Sequence, residues 1–136
     1  MIEIVSSESD SENVKIFYQW IIEEWGAIQS PQGSKIHVPA PLLAVDENKL
    51  RGGLSFLDSK HPENDEIVLW INTVFVEPKS RGSGVGSMLI NHAEDMSKLM
   101  GESRLFAFTN IPKLYLNLGW EILKRDQQDY VLMKNI

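Results

Sequence analysis

The chain contains no cysteine. Disulfides, thiolate metal sites and a cysteine nucleophile are therefore excluded. No apolar run approaches the roughly 20 residues that a membrane span needs, so no membrane partner is expected. The opening stretch from Met1 to Asp10 lacks the basic-then-apolar pattern of a secretory signal. The expected location is the cytoplasm. Positive charge is also scarce. Lys and Arg number 13 against 19 Asp and Glu, for a net charge of −6. The cations are scattered rather than gathered in a patch, which argues against nucleic acid as a partner. An acidic surface suits a cationic substrate such as an amine, although solubility alone accounts for many acidic proteins. His37, His61 and His92 are far apart and follow no metal-ligand spacing, so no metal is expected. There is no G-x-S-x-G nucleophile elbow, and no internal repeat, low-complexity tract or linker.

What is present fits one ordinary domain spanning residues 1–136. "MIEIV" alternates as a short strand. "SSESDSEN" offers several helix N-caps. Val14, Phe17, Ile21 and Ile22 then recur at helical spacing up to a stop at Gly26. "PLLAVDENKLRGGLSFLD" predicts two strands around a tight Asp-Glu-Asn-Lys turn, and "SKHPENDE" predicts a loop. "IVLWINTVFV" is almost continuously apolar, as in a strand buried mid-sheet. After a glycine-rich turn, Val85, Met88, Leu89, His92 and Met96 predict one helix face, ending near Gly101. "SRLFAFT" predicts a strand. "IPKLYLNLG" predicts a short helix with Pro112 in its first turn. "WEILKR" and "DYVLMKNI" close as two strands. The predicted order is β-α-β-β-β-α-β-α-β-β, a mixed α/β (α+β) sheet.

The glycine-rich turn carries the chemistry. A strand, a turn rich in glycine and a helix N-terminus together form an anion site. The first helical N–H groups are unpaired, the helix dipole is positive there, and glycine lets the backbone approach a ligand. Pyrophosphate suits such a place, and Arg81 adds a charge that can fork onto phosphate oxygens. Two familiar phosphate motifs fail. Ser87 and Met88 occupy the positions where a Walker loop places Gly and Lys. Ser87 also replaces the third glycine of a dinucleotide fingerprint, after Gly82 and Gly84.

The pattern that fits is R-x-x-G-x-G, at Arg81, Gly84 and Gly86, preceded by V-x-P at Val76 and Pro78. This stretch resembles the acyl-CoA-binding motif of the GNAT N-acetyltransferase superfamily. Tyr115, Leu118, Gly119 and Trp120 resemble that family's C-terminal motif, at a similar distance from Arg81. "EEWG", "FT" and "LGW" look like an uncharacterised bacterial branch. The motifs occupy residues 74–87 and 105–125. The resemblance implies a mixed central sheet of about six to seven strands flanked by about four helices. It also implies acetyl transfer from acetyl-CoA, as co-substrate, to a primary amine. With no cysteine to carry the acyl group, transfer would be direct, in a ternary complex.

By this resemblance the turn residues Arg81, Gly82, Ser83, Gly84, Val85, Gly86 and Ser87 wrap the pyrophosphate of coenzyme A. The main chain of Val74, Phe75 and Val76 polarises the thioester carbonyl and pairs with the pantetheine arm, beside a splay between the fourth and fifth strands. Asn110 holds coenzyme A or orients Tyr115, although its gap to Tyr115 is shorter than in the commonest family pattern; the competing reading is an N-cap of the short helix. Tyr115 is the general acid, or the group that positions the sulfur. Its reference pKa near 10, against about 8.5 for a thiol, lets it rest protonated and still donate. An amine titrating near 10.4 costs roughly 4 to 5 kcal/mol to neutralise at pH 7, so a base is needed. Glu66, before the central strand, is the candidate; Asp65, Glu24 and water are its rivals, and both loop carboxylates also read as solvated surface groups. Trp25 and Trp70 are candidates for lining an acceptor pocket formed from residues 26–41 and 58–66. The acceptor, a small molecule or a peptide, stays open, as does a homodimer. Two other readings of the same fold stay open: a non-catalytic CoA-binding module, and an acyltransferase for a longer acyl chain.

Overall fold

The computed structural model describes residues 1–27 and 37–136. Asp10 starts the first helix, α1 (Ser11–Trp25), by accepting from the Asn13 N–H at 3.1 Å. Gly26 ends it in the left-handed region, at φ 82°, as such a stop requires. Phe17 and Ile21 form its buried face; Ile22, expected there, is 43% exposed. Seven strands follow one another in chain order: β1 (Glu3–Ser6), β2 (Leu42–Asp46), β3 (Lys49–Lys60), β4 (Ile67–Val76), β5 (Arg104–Thr109), β6 (Glu121–Asp126) and β7 (Asp129–Asn135). The predicted tight turn between β2 and β3 has Glu47 and Asn48 at φ 50° and 68°, the pattern of a two-residue hairpin whose twist matches its strands. β3 runs to Lys60, two residues into the predicted loop, because Ser59 and Lys60 pair with Val68 and Ile67.

The strands form one sheet in the order β1-β2-β3-β4-β5-β7-β6. Only β4 and β5 are parallel; the other neighbours are antiparallel. Parallel neighbours need a crossover, and α2 (Val85–Leu99) supplies it. Among the described residues there are three α-helices, the third being α3 (Lys113–Leu116), and two 3₁₀ turns at Ser7–Ser9 and Pro78–Ser80. The order of strands and α-helices is the predicted one.

Each face of the sheet has its own core. On one, α2 packs Val85, Leu89, Ile90 and Ala93 against Leu54, Phe56, Leu69 and Ile71. The α2 face is rotated from its expected position: Met88 and His92 are exposed, and Ile90 and Ala93 are buried. On the other face, α1 packs Phe17 and Ile21 against Leu43, Val45 and Leu50. Gly53 of β3 makes that approach possible. A Cβ there would lie 2.5 Å from the Phe17 ring. No helix among the described residues is long and apolar enough to cross a membrane.

Candidate active site

β4 treats its two neighbours differently. Against β3 it stays paired from Ile67 to Val76, with one register shift. Against β5 it pairs only at Trp70↔Phe106 and Ile71↔Ala107. Beyond Ile71 the parallel strands part. The backbone of Val74, Phe75 and Val76 then has β3 on one side and no β5 partner on the other. A register shift sits at the parting point. Thr73 pairs with Ser55 and Ile71 with Phe56, leaving Asn72 as the extra residue on β4. Such a bulge re-aims side chains and ends pairing.

A cleft of roughly 230 Å³ opens there, lined by Leu57, Ser59, Trp70, Ile71, Asn72 and Phe108. Ile71 belongs to the α2-side core, so the alternation of a strand turns Trp70 toward the opposite face. The Trp70 ring lies 5.3 Å from Phe106, tilted by 38°, and Phe106 also meets His61 edge-on at 5.0 Å. Asp58, between the cleft residues Leu57 and Ser59, is 1% exposed and engaged, and it pairs in register with the core residue Leu69. No carboxylate lines the cleft among the described residues.

The glycine turn lies at the same end of the sheet as the parting. Pro78–Ser80 is clamped to β3, because Glu77 Oε1 accepts from both Arg51 and Ser80 at 2.7 Å. Burial pushes the Glu77 carboxyl up, but the Arg51 and Ser80 hydrogen bonds outweigh it and hold the group below the usual carboxylate range. Gly84 is the α2 N-cap at φ 87°, with no side chain capping the helix. The Met88 N–H is the first to find a helical partner, at Gly84 O. The N–H groups of Val85, Gly86 and Ser87 therefore remain at the free helix end. A Cβ on Gly82 or Gly84 would meet no atom within 4 Å, so the space over the turn is clear. Ser83 Oγ donates to Ser80 O. Arg81 is aimed rather than loose. Its Nε donates to Val76 O at 2.8 Å, and its guanidinium lies 5.4 Å over Phe75. Trp20 and Trp25 complete that aromatic group around Phe75.

α3 docks beside the first turn of α2. Leu114 would lie 3.3 Å from a Cβ on Gly86. Tyr115 is 4% exposed and burial lifts its phenol well above the ordinary tyrosine value. Asn110 is exposed after β5, at the turn's end of the sheet. It does not cap α3: Pro112 is the N-cap position, and the nearby side-chain bond runs from the Ile111 N–H to Thr109 Oγ1.

Glu66 stands apart. It precedes β4 at the opposite end, about 20 Å of extended chain from Asn72, and is 56% exposed in an ion pair with Arg104 at 2.9 Å. Asp65 is 97% exposed beside Lys60, and Glu24 is an exposed residue of α1. The structure brings none of the three expected bases to the cleft. Of the two tryptophans, Trp70 lines the cleft and Trp25 lies against Phe75 near Arg81. Much of the expected acceptor loop, residues 28–36, lies outside the described residues. Asn72 was not foreseen. The one sequence signal is the polar break Asn72–Thr73 inside an apolar strand.

Solved structures of the same fold bind related ligands. The chain is similar to Arabidopsis thaliana Naa50 in complex with the bisubstrate analogue CoA-Ac-MVNAL, at 18% identity, 99% coverage of each chain and TM-score 0.70. It is similar to PaiA N-acetyltransferase from Thermoplasma acidophilum in complex with coenzyme A, at 15% identity, covering 100% of this chain and 99% of that one, TM-score 0.68. It also matches N-acetylglutamate synthase from Neisseria gonorrhoeae complexed with coenzyme A and N-acetyl-glutamate, at 19% identity, covering 99% of this chain and 35% of that one, TM-score 0.69. No curated protein matches the sequence significantly. Residues 4–120 match the acetyltransferase (GNAT) family, and the chain belongs to that family.

Proposed function

We propose that residues 1–136 act as one domain that transfers an acetyl group from acetyl-CoA directly to a primary amine. The observation that carries this is the two-pair β4–β5 ladder, which opens beside an uncapped helix N-terminus. Arg81 and the N–H groups of Gly82 to Ser87 take the pyrophosphate. The edge of Val74, Phe75 and Val76 that lacks a β5 partner takes the pantetheine amides and polarises the thioester carbonyl, with Val76 O already accepting from Arg81. Asn110 stands at the same end and contacts the coenzyme. The acyl carbon reaches through the parting to the face where Trp70 lines the cleft, and the amine meets it there.

In the transfer step the amine nitrogen bonds the carbonyl carbon and the C–S bond breaks. The amine's proton leaves to water, because no carboxylate lines the cleft among the described residues. Tyr115 gives its proton to the departing sulfur and recovers one from solvent. Its raised pKa keeps that proton in place at neutral pH. With water as acceptor, kcat/KM rises with pH toward the amine's own pKa near 10.4. A plateau beginning near pH 5 would instead show a carboxylate base.

The test is thermal unfolding with acetyl-CoA, with NADH and ATP as controls, followed by thiol release on a panel of spermidine, phenethylamine, lysine and a peptide with a free N-terminus. At about 100 times its dissociation constant a ligand adds roughly 2.7 kcal/mol, a rise of several degrees. A rise with acetyl-CoA and thiol release supports the reading. A rise without release across the panel favours a CoA-binding module. No rise with acetyl-CoA overturns it.

A further inference from the structure

Tyr115 is 4% exposed, and both its ring and its backbone are tied to the corner that follows α3. Its ring lies edge-on to Trp120, with centroids 5.0 Å apart and planes at 71°. Its carbonyl accepts from the N–H groups of Leu118 and Trp120, at 3.0 and 3.1 Å. Trp120 is itself held. Its Nε1 donates to Glu94 Oε2 at 3.0 Å. The other oxygen of Glu94 accepts from Lys134 Nζ at 2.7 Å, and Lys134 also donates to Leu118 O at 2.7 Å. Glu94 comes from α2, Lys134 from β7, and Trp120 from the corner between α3 and β6. The Glu94 and Lys134 side chains are 11% and 27% exposed.

A charge pair this enclosed is not needed to fill a core. Apolar residues of similar volume often do that as well, and in some proteins a buried pair selects one geometry. Here the selected geometry is the position of the Trp120 ring, and through it that of Tyr115. We propose that Glu94 and Lys134 are positioning residues for Tyr115, acting through the Trp120 indole. This rests on the reading of Tyr115 as the acid in acetyl transfer. The network joins the helix that starts at the glycine turn to the corner that carries the phenol, so coenzyme site and acid are held in one register.

The test uses the full chain, with Tyr18 and Tyr130 replaced by Phe so that Tyr115 is the sole tyrosine. Its ionisation is followed by ultraviolet difference titration in Glu94→Ala, Glu94→Gln and Trp120→Phe. The expected result is that Tyr115 ionises at lower pH in Glu94→Ala and Trp120→Phe, toward an ordinary tyrosine. Glu94→Gln, which keeps one oxygen for the indole but turns an NH2 group toward Lys134, shifts less than Glu94→Ala. The thermal rise with acetyl-CoA persists in all of them. With acetyl-CoA and the fastest amine of the panel, kcat falls by about ten- to a hundredfold in Glu94→Ala while KM for acetyl-CoA holds.

An unchanged Tyr115 titration in folded Glu94→Ala and Trp120→Phe overturns the proposal. If those variants unfold, Lys134→Met, which leaves Glu94 bonded to the indole, decides by the same titration: a lowered ionisation supports the network and an unchanged one overturns it. The two readings fail separately. A Tyr115→Phe protein as fast as the parent removes the acid role but leaves the titration result standing. A slow Tyr115→Phe beside a Glu94→Ala of parent rate and titration removes only the positioning role.

Discussion

The two edges of β4 make an instructive contrast. One edge keeps nine register pairs with β3, and the other keeps two with β5. The β3 edge is closed and tightly packed, and Phe17 lies against Gly53 with no space for a methyl group. The β5 edge is opened by a parting beside an uncapped helix end, while the bulge at Asn72 lies in the β3 ladder at the same level. Backbone groups left unpaired in a folded protein need a partner, and a bound ligand can be that partner. The closed edge holds the fold together, and the open edge is where the proposed chemistry is assigned.

Substitutions should separate the two edges. The largest effect is expected on the closed one. Gly53→Val forces a branched side chain into the Phe17 ring and should cost about 3 kcal/mol or more. Urea unfolding would measure the loss, and parent-like stability would mean that the packing there is looser than described. On the open edge, Tyr115→Phe should leave stability near the parent and slow transfer by about a hundredfold. It should also change alkaline behaviour. Burial raises the folded-state pKa of Tyr115 above its unfolded value. Its contribution is therefore complete below about pH 10 and falls above it, by up to roughly 1.4 kcal/mol per pH unit. That alkaline loss should be shallower in Tyr115→Phe.

Gly84→Val tests the turn. Its φ of 87° makes any β-branched residue strained there, and its side chain would project into the space over the turn. Acetyl-CoA affinity should drop by at least about tenfold, with a stability cost of about 1–2 kcal/mol. Calorimetric titration showing parent affinity would remove the turn from the coenzyme site. The smallest effect is expected at the far end of β4. Glu66→Gln should leave turnover within about twofold, since an exposed ion pair contributes little. A large loss there would restore Glu66 as a base and show that the far end reaches the cleft.

The local elements were legible because their signals are local. The apolar run of β4, the glycine stop of α1 and the strand–turn–helix around Arg81 each depend on a few adjacent residues. Their order, and with it the family, could be read directly. The helix face of α2 was read one step out of rotation. Met88 and His92 satisfy helical spacing as well as Ile90 and Ala93 do, and only the sheet beneath decides which set is covered. Glu66 was attractive because sequence placed it beside the central strand. Strand direction and length put it at the end of β4 away from the glycine turn.

The sequence by itself determined the element order, the glycine-rich strand–turn–helix around Arg81 and the absence of a cysteine thiol, since residue type and neighbour spacing suffice for each. Tertiary structure alone decided where β4 and β5 part, that Asn72 is the bulged residue, and that Glu94 and Lys134 hold the Trp120 ring beside Tyr115. Those facts depend on register and on packing between residues up to 40 positions apart. Pairing across a sheet leaves little trace in the local pattern of either strand.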